Sequence, residues 1–132
     1  MTYLLAVKQD SLPLVLHQGF ARAFLIYSAL MAAWGLFLYI RGRNPSGGYL
    51  GALILDEGLA LLQGVVGLIV RTQGHAPHDA LHYLYGIAAV VSLPAAYFMS
   101  DEGTTRRDSL YFGLAGLFLV GVAIRGTVTG AT

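Results

Sequence analysis

The sequence predicts an all-α protein, an integral membrane four-helix bundle of up-down-up-down topology. Three observations carry that reading. Hydrophobic residues make up 56% of the 132 residues and charged residues only 11%, with a mean hydropathy of +0.64, whereas a soluble domain carries about 25% charged residues. Four apolar runs are long enough to cross a hydrocarbon core, which takes about 20 residues of helix. The three connections between them are short and rich in helix breakers, so sequential helices become antiparallel neighbours. The chain thus reads as one transmembrane domain over 1–132, with spans at 14–40, 49–70, 77–99 and 109–128.

Met1 to Val7 is apolar but too short to span, which suits a segment at the interface or against a partner subunit. Asp10 or Ser11 can cap the first helix, and Pro13 suits its first turn. At about 100° per residue, the stripe through His17 contains Ala21, Phe24, Ser28, Met31 and Gly35. Small residues recur on it, so it is the packing face. Arg22 points elsewhere, with a side chain long enough to snorkel to head groups. Trp34 and Tyr39 sit toward the far interface, where amphipathic rings are common.

Arg41 to Gly48 is a turn containing Asn-Pro and Gly-Gly. The second span holds two adjacent acids, Asp56 and Glu57, inside an otherwise apolar run. Its small and polar stripe collects Ala52, Asp56, Ala60, Gln63 and Gly67, which turns Asp56 and Gln63 toward the bundle. In the third span, Pro77 fits a first helical turn and Asp79 meets the positive helix end. His78 and His82, four apart, lie within about 40° on one face. That face continues through Gly86, Ala89, Leu93 and Ala96, which directs His82 into the bundle. Pro94 can kink the helix near its far end. Ser100 to Asp108 is the most charged stretch and reads as solvent-exposed. The last span offers Gly113, Gly116 and Gly121 as close-approach points, with Arg125 near its end and a small polar tail, Thr127 to Thr132, read as mobile.

The formal net charge of +1 and the lack of a basic cluster argue against nucleic acid. Absence of cysteine removes disulfides, thiolate metal sites and covalent haem attachment together. Met1 to Val7 has no basic n-region, so no cleavable signal peptide is expected. Arg41, Arg43, Arg106 and Arg107 fall in the two loops of one side. By the positive-inside rule this predicts a multi-pass protein of the cell (inner) membrane with both termini on the non-cytoplasmic side. His17, His75, His78, His82, Arg71 and Arg125 share the opposite side in either orientation.

His17 and His82 lie near the starts of the first and third spans, so both imidazoles sit at nearly one depth. In this topology those helices are diagonal across the core. Two inward histidines at one level are suited to bis-histidine ligation of a b-type haem, with Arg22, Arg71 or Arg125 available to the propionates. In this layout, and through His17 and His82, the chain resembles the four-helix membrane-anchor b-type cytochromes. That resemblance implies a subunit carrying electrons between a quinone pool and a redox partner. Each residue also has a plainer reading. A histidine near a helix start is commonly an interfacial hydrogen-bonder, and His75, His78 and His82 have two-ligand spacing for a metal but only Asp79 at hand as a further ligand. Asp56 and Glu57 suit proton relay or a quinone head group; otherwise Asp56 hydrogen-bonds Gln63 or a tyrosine and Glu57 reaches the cytoplasmic interface. No nucleophile or catalytic motif stands out, which leaves the enzyme question open. Two function classes remain: a haem-bearing electron-transfer subunit of a respiratory or photosynthetic complex, and a cofactor-free accessory subunit that stabilises a larger membrane complex.

Overall fold

The computed structural model describes the backbone of residues 2–74 and 80–130 and the side chains of 12–74 and 80–129. Its elements are α1 (Thr2–Ile40), α2 (Gly47–Thr72), α3 (Leu81–Met99) and α4 (Arg106–Gly130). All four contain a segment long and apolar enough to cross a membrane.

The first helix starts much earlier than expected. It runs unbroken from Thr2, so Asp10 and Ser11 lie inside it and Pro13 is an interior residue. The stretch TYLLAVKQ contains no glycine or proline and several good helix formers, which lets the helix propagate. Pro13 removes only one N–H from the ladder. At 1.5 Å per residue, 39 residues extend about 58 Å, well beyond a hydrocarbon core of about 30 Å.

The starts of α2 and α4 are fixed by side-chain caps. Ser46, in extended conformation, accepts the Tyr49 N–H at 3.1 Å. Ahead of α4, Thr105 and Asp108 form a reciprocal capping box: the Thr105 N–H donates to the Asp108 carboxylate at 3.2 Å, and the Asp108 N–H donates to Thr105 Oγ1 at 3.3 Å. Asp108 also accepts the Asp101 N–H at 3.1 Å. Asp108 is therefore fully buried, a correction to the expectation that Ser100 to Asp108 is exposed throughout. The N–H groups of a helix start and its incoming loop need an acceptor, and this carboxylate supplies it. The expected starting residues of the third helix, Pro77 and Asp79, lie outside the described residues.

Among the described residues, α1 packs on α2 and α4, and α3 packs on α4 and α2; α1 and α3 are diagonal. The tightest seam is between α1 and α4. A Cβ placed on Gly116 would lie 2.8 Å from the Ala32 backbone nitrogen, and one on Gly113 would lie 2.9 Å from that of Leu36. Gly35 faces Gly113 in the same way, at 2.9 Å. Only glycine lets the two backbones meet this closely. Gly121, expected to join this seam, does not: nothing lies within 4 Å of its would-be Cβ, because it points away from α1. The core built around the seam includes Phe24, Met31, Leu38, Tyr49, Leu93, Phe112 and Leu119. Trp34 meets Tyr49 edge-on at 5.1 Å between ring centroids, which ties the aromatic side chains of α1 and α2 together.

The start of α4 is stapled to the end of α1 and to the loop that follows it. Ser109 donates to the Arg43 carbonyl at 2.8 Å, and Arg106 Nε donates to the Tyr39 carbonyl at 2.8 Å. The Arg106 guanidinium also lies over the Tyr39 ring, 4.3 Å from its centroid.

Candidate functional site

At the other end of the bundle the interior is polar. His17 on α1 and His82 on α3 meet across the diagonal, with ring centroids 5.9 Å apart and an interplanar angle of 76°. Each helix aims its histidine along its own core face. On α1 that face continues through Phe24, Ser28 and Met31, and on α3 through Ala89, Leu93 and Ala96.

Each ring has a distinct support. His17 lies against α2 at Gly67, its Cε1 corner nearest: an added Cβ would come within 3.0 Å of that atom. The Nδ1 of His17 is buried and has no hydrogen-bond partner among the described residues. In contrast, His82 Nδ1 is held at 2.9 Å from the Gly126 carbonyl and 3.3 Å from the Thr129 hydroxyl. A carbonyl can only accept, so the 2.9 Å bond places a ring hydrogen on Nδ1, and in the neutral tautomer so fixed Nε2 is the acceptor. Thr129 in turn donates to the Arg125 carbonyl at 2.9 Å and is buried. This corrects the reading of Thr127 to Thr132 as a mobile tail as far as Gly130. Thr127 and Thr129 bond back to carbonyls one turn earlier, and α4 runs on to Gly130.

The pair can be tested against a haem iron. Two imidazoles that share one metal ion, with bonds of about 2 Å each, place their ring centroids at most about 6 Å apart. The observed 5.9 Å lies within that limit. A histidine whose Nδ1–H is fixed by a carbonyl and whose Nε2 is free has the outer-shell arrangement usual for metal-ligating histidines. The residues present fit such a group.

The remaining candidate residues are dispersed around this pair. Arg22, Arg71 and Arg125 are exposed, away from the core. His75 and His78 lie outside the described residues, and so does the four-residue pairing of His78 with His82. Among the described residues no three histidine, aspartate or glutamate side chains come together as metal ligands.

Asp56 is fully buried on α2, facing an equally buried Ser28 on α1. Ser28 Oγ lies 3.1 and 3.0 Å from the two carboxyl oxygens. This replaces the expected partners, Gln63 or a tyrosine. The nearby tyrosine hydroxyls are taken by main-chain carbonyls, Tyr27 donating to Ala52 at 2.7 Å and Tyr49 to Met31 at 3.1 Å. Gln63 is nearly two turns from Asp56 along α2, and its Oε1 is buried without a partner among the described residues. The Oε2 of Glu57 is likewise buried and unpartnered among the described residues.

Sequence reasoning found the two histidines and Asp56 as inward residues but not Ser28, Gly67, Gly126 or Thr129 as their supports. Ser28 was legible as a member of the α1 packing stripe, though not as a donor. Gly67 was legible as a member of the inward α2 stripe, though not as the seat of a ring, and Gly126 carries no signal, because its contribution is a main-chain carbonyl that any residue has. Comparison with protein-family models, curated proteins and solved structures finds no match to this chain.

Proposed function

We propose that the chain is an integral membrane subunit of a respiratory or photosynthetic electron-transfer complex, holding one b-type haem between His17 and His82. The observation that carries this reading is the approach of the two imidazoles at 5.9 Å across the bundle diagonal. When bound, such a group supplies one-electron exchange at its iron.

The chain's own residues have separable roles. His17 and His82 would hold the haem iron through their ring nitrogens. The Gly126 carbonyl and Thr129 hydroxyl hold His82 in one tautomer and orientation, and Gly67 gives His17 a surface to rest on. Arg22, Arg71 and Arg125 are suited to acidic groups at the membrane surface. The contact pairs His17 with Gly67, Ser28 with Asp56, Gly35 with Gly113 and Ala32 with Gly116 support an up-down-up-down bundle. Large apolar residues left on the surface, such as Ile54, Phe98 and Ile40, support burial in lipid. The arginine loops then face the cytoplasm and both termini the opposite side of the cell (inner) membrane, with a redox partner, other membrane subunits or quinone as reaction partners.

A second reading, a cofactor-free accessory subunit of a larger membrane complex, is favoured by one feature. The edge-on ring pair together with the His82 to Gly126 bond already ties α1, α3 and α4 without any bound group. The absorption spectrum of the purified protein, expressed with haem in supply, separates the two. The haem reading expects a Soret band that shifts on reduction, and His17→Ala or His82→Ala should each abolish the low-spin spectrum, since one imidazole cannot supply both axial ligands. A protein without a Soret band, or an unchanged low-spin spectrum in either variant, overturns it in favour of the accessory subunit.

A further inference from the structure

We infer that Asp56 is a proton-binding site inside the membrane, loaded from the histidine end of the bundle through Gln63. The inference is independent of the haem reading and needs only that the four helices lie in a bilayer.

The argument starts from hydrogen-bond inventory. A carboxylate has two acceptor oxygens, and a serine hydroxyl has one hydrogen to give. Ser28 Oγ is almost equidistant from both carboxyl oxygens, at 3.1 and 3.0 Å, and is the sole hydrogen-bond donor to them among the described residues. An ionised Asp56 would keep one buried oxygen without a hydrogen. A protonated Asp56 can donate its O–H to Ser28 Oγ and still accept at its other oxygen, which satisfies both side chains. No cation changes this balance. Facing Asp56 on α1 are Tyr27 and Ser28; its own helix adds Tyr49 and Glu57; and α3 presents no ionisable residue between Gly86 and Ala96. The fourth helix does not pack on α2. With a second carboxyl beside it, no positive partner and no exposure, the neutral acid is the form that a hydrocarbon environment accepts.

The route to it is marked by orphaned polar atoms. Seven residues along α2 from Asp56, a rise of about 10 Å, the Oε1 of Gln63 is buried without a partner. One turn further, Gly67 receives the His17 ring, whose Nδ1 is likewise buried and unpartnered. Buried polar atoms rarely stay unsatisfied, and ordered water is their usual partner when no protein group is near. Water between His17, Gln63 and Asp56 would give a proton a path inward. On loading, a water-borne proton adds to the Asp56 carboxylate; on release it returns to water by the same path and the carboxylate reforms.

Infrared spectroscopy of the full chain in lipid bilayers tests this directly. At neutral pH a protonated-carboxyl C=O band is expected, shifted by 13C-aspartate labelling of the wild type, lost in Asp56→Asn and retained in Glu57→Gln. The isotope label keeps the assignment testable even if Asp56→Asn folds poorly. In D2O the band should shift as the acid proton exchanges, and Gln63→Leu should slow that exchange at least tenfold. Absence of the band at neutral pH, or its insensitivity to labelled aspartate, overturns the proton site. Exchange in Gln63→Leu as fast as in wild type overturns the route.

Discussion

The two ends of the bundle are built on opposite principles. At the arginine end, where α1 runs into Arg41 and α4 begins at Arg106, backbone touches backbone at Gly35, Gly113 and Gly116, and every polar side chain of the loop staples has a partner at hydrogen-bond distance. At the histidine end, His17 Nδ1 and Gln63 Oε1 are buried and unpartnered among the described residues, and the α2 backbone at Gly67 meets a side-chain ring and not another backbone. Close packing holds a fold in one arrangement, and it excludes ligands for the same reason. Unsatisfied polar atoms cost stability and are what a binding site requires. The difference teaches where stability and chemistry are separated in this chain, and one kind of substitution probes both.

The largest effect is expected from Gly116→Ala. Its new methyl would meet the Ala32 backbone at 2.8 and 2.9 Å, and backbone on a packed helix cannot step aside as a side-chain tip can. Overpacking of this sort costs about 1–3 kcal/mol, against the 0.5–1 kcal/mol or so that alanine ordinarily gains over glycine in a helix. Thermal unfolding in detergent should therefore show a lower midpoint. An unchanged or raised midpoint would mean that the α1–α4 seam is not the rigid part of the molecule.

Next in size is Asp108→Ala, also at the arginine end. Removing the carboxylate strips the acceptor from the Asp101 and Thr105 N–H groups, and the loss of a helix cap costs roughly 1 kcal/mol, up to about 2. Asp108→Asn should recover part of this, since an amide oxygen still accepts. If Ala and Asn variants unfold together with wild type, the capping box contributes nothing and the loop is held by its arginine contacts alone.

How much of this contrast was legible in the sequence differs by feature. The four spans follow from apolar run length alone, which needs no tertiary information. The inward faces of α1 and α3 follow from the 3.6-residue period, so that His17, His82 and Ser28 could be placed on core stripes. What the period does not give is axial register between helices. That is why the expected partners of Asp56, Gln63 or a tyrosine, did not include Ser28 on α1, which is the one observed. The capping box Thr105-x-x-Asp108 was readable as a local pattern, but a run of charges reads first as a solvated loop. Pro13 misled for the opposite reason: it suits a first turn, but nothing before it stops a helix.

On the histidine end the same glycine-to-alanine change should reverse sign. At Gly126 an added Cβ meets nothing within 4 Å, so Gly126→Ala should raise stability by about 0.5–1 kcal/mol through the unfolded chain's lost freedom. The carbonyl that holds His82 is unaffected by the side chain, so the Nδ1 bond should persist. Destabilisation by this variant would show that the face of α4 at Gly126 is packed and not open.

The smallest net effect, and the most informative for the site, is expected at Gly67. Here the added methyl meets His17 at 3.0 Å from Cε1, 3.5 Å from Nδ1 and 3.7 Å from Nε2. Unlike the Ala32 backbone, this neighbour is a side chain, and its Nδ1 is not tied by any hydrogen bond among the described residues. The ring can move by the few tenths of an ångström required. Helix propensity then gains roughly 0.5–1 kcal/mol, offset by the lost fit of the imidazole, and the unfolding midpoint should barely change. His17 should nevertheless be displaced relative to His82, which the Gly126 carbonyl holds in place. With 15N-labelled histidine, Gly67→Ala should therefore shift the His17 ring resonances much more than those of His82. A stability loss as large as that of Gly116→Ala would show that His17 is locked, and that the histidine end is packed as rigidly as the arginine end. Equal shifts of both rings would instead show that the two imidazoles move as one unit, with His82 less firmly anchored than its bond to Gly126 implies.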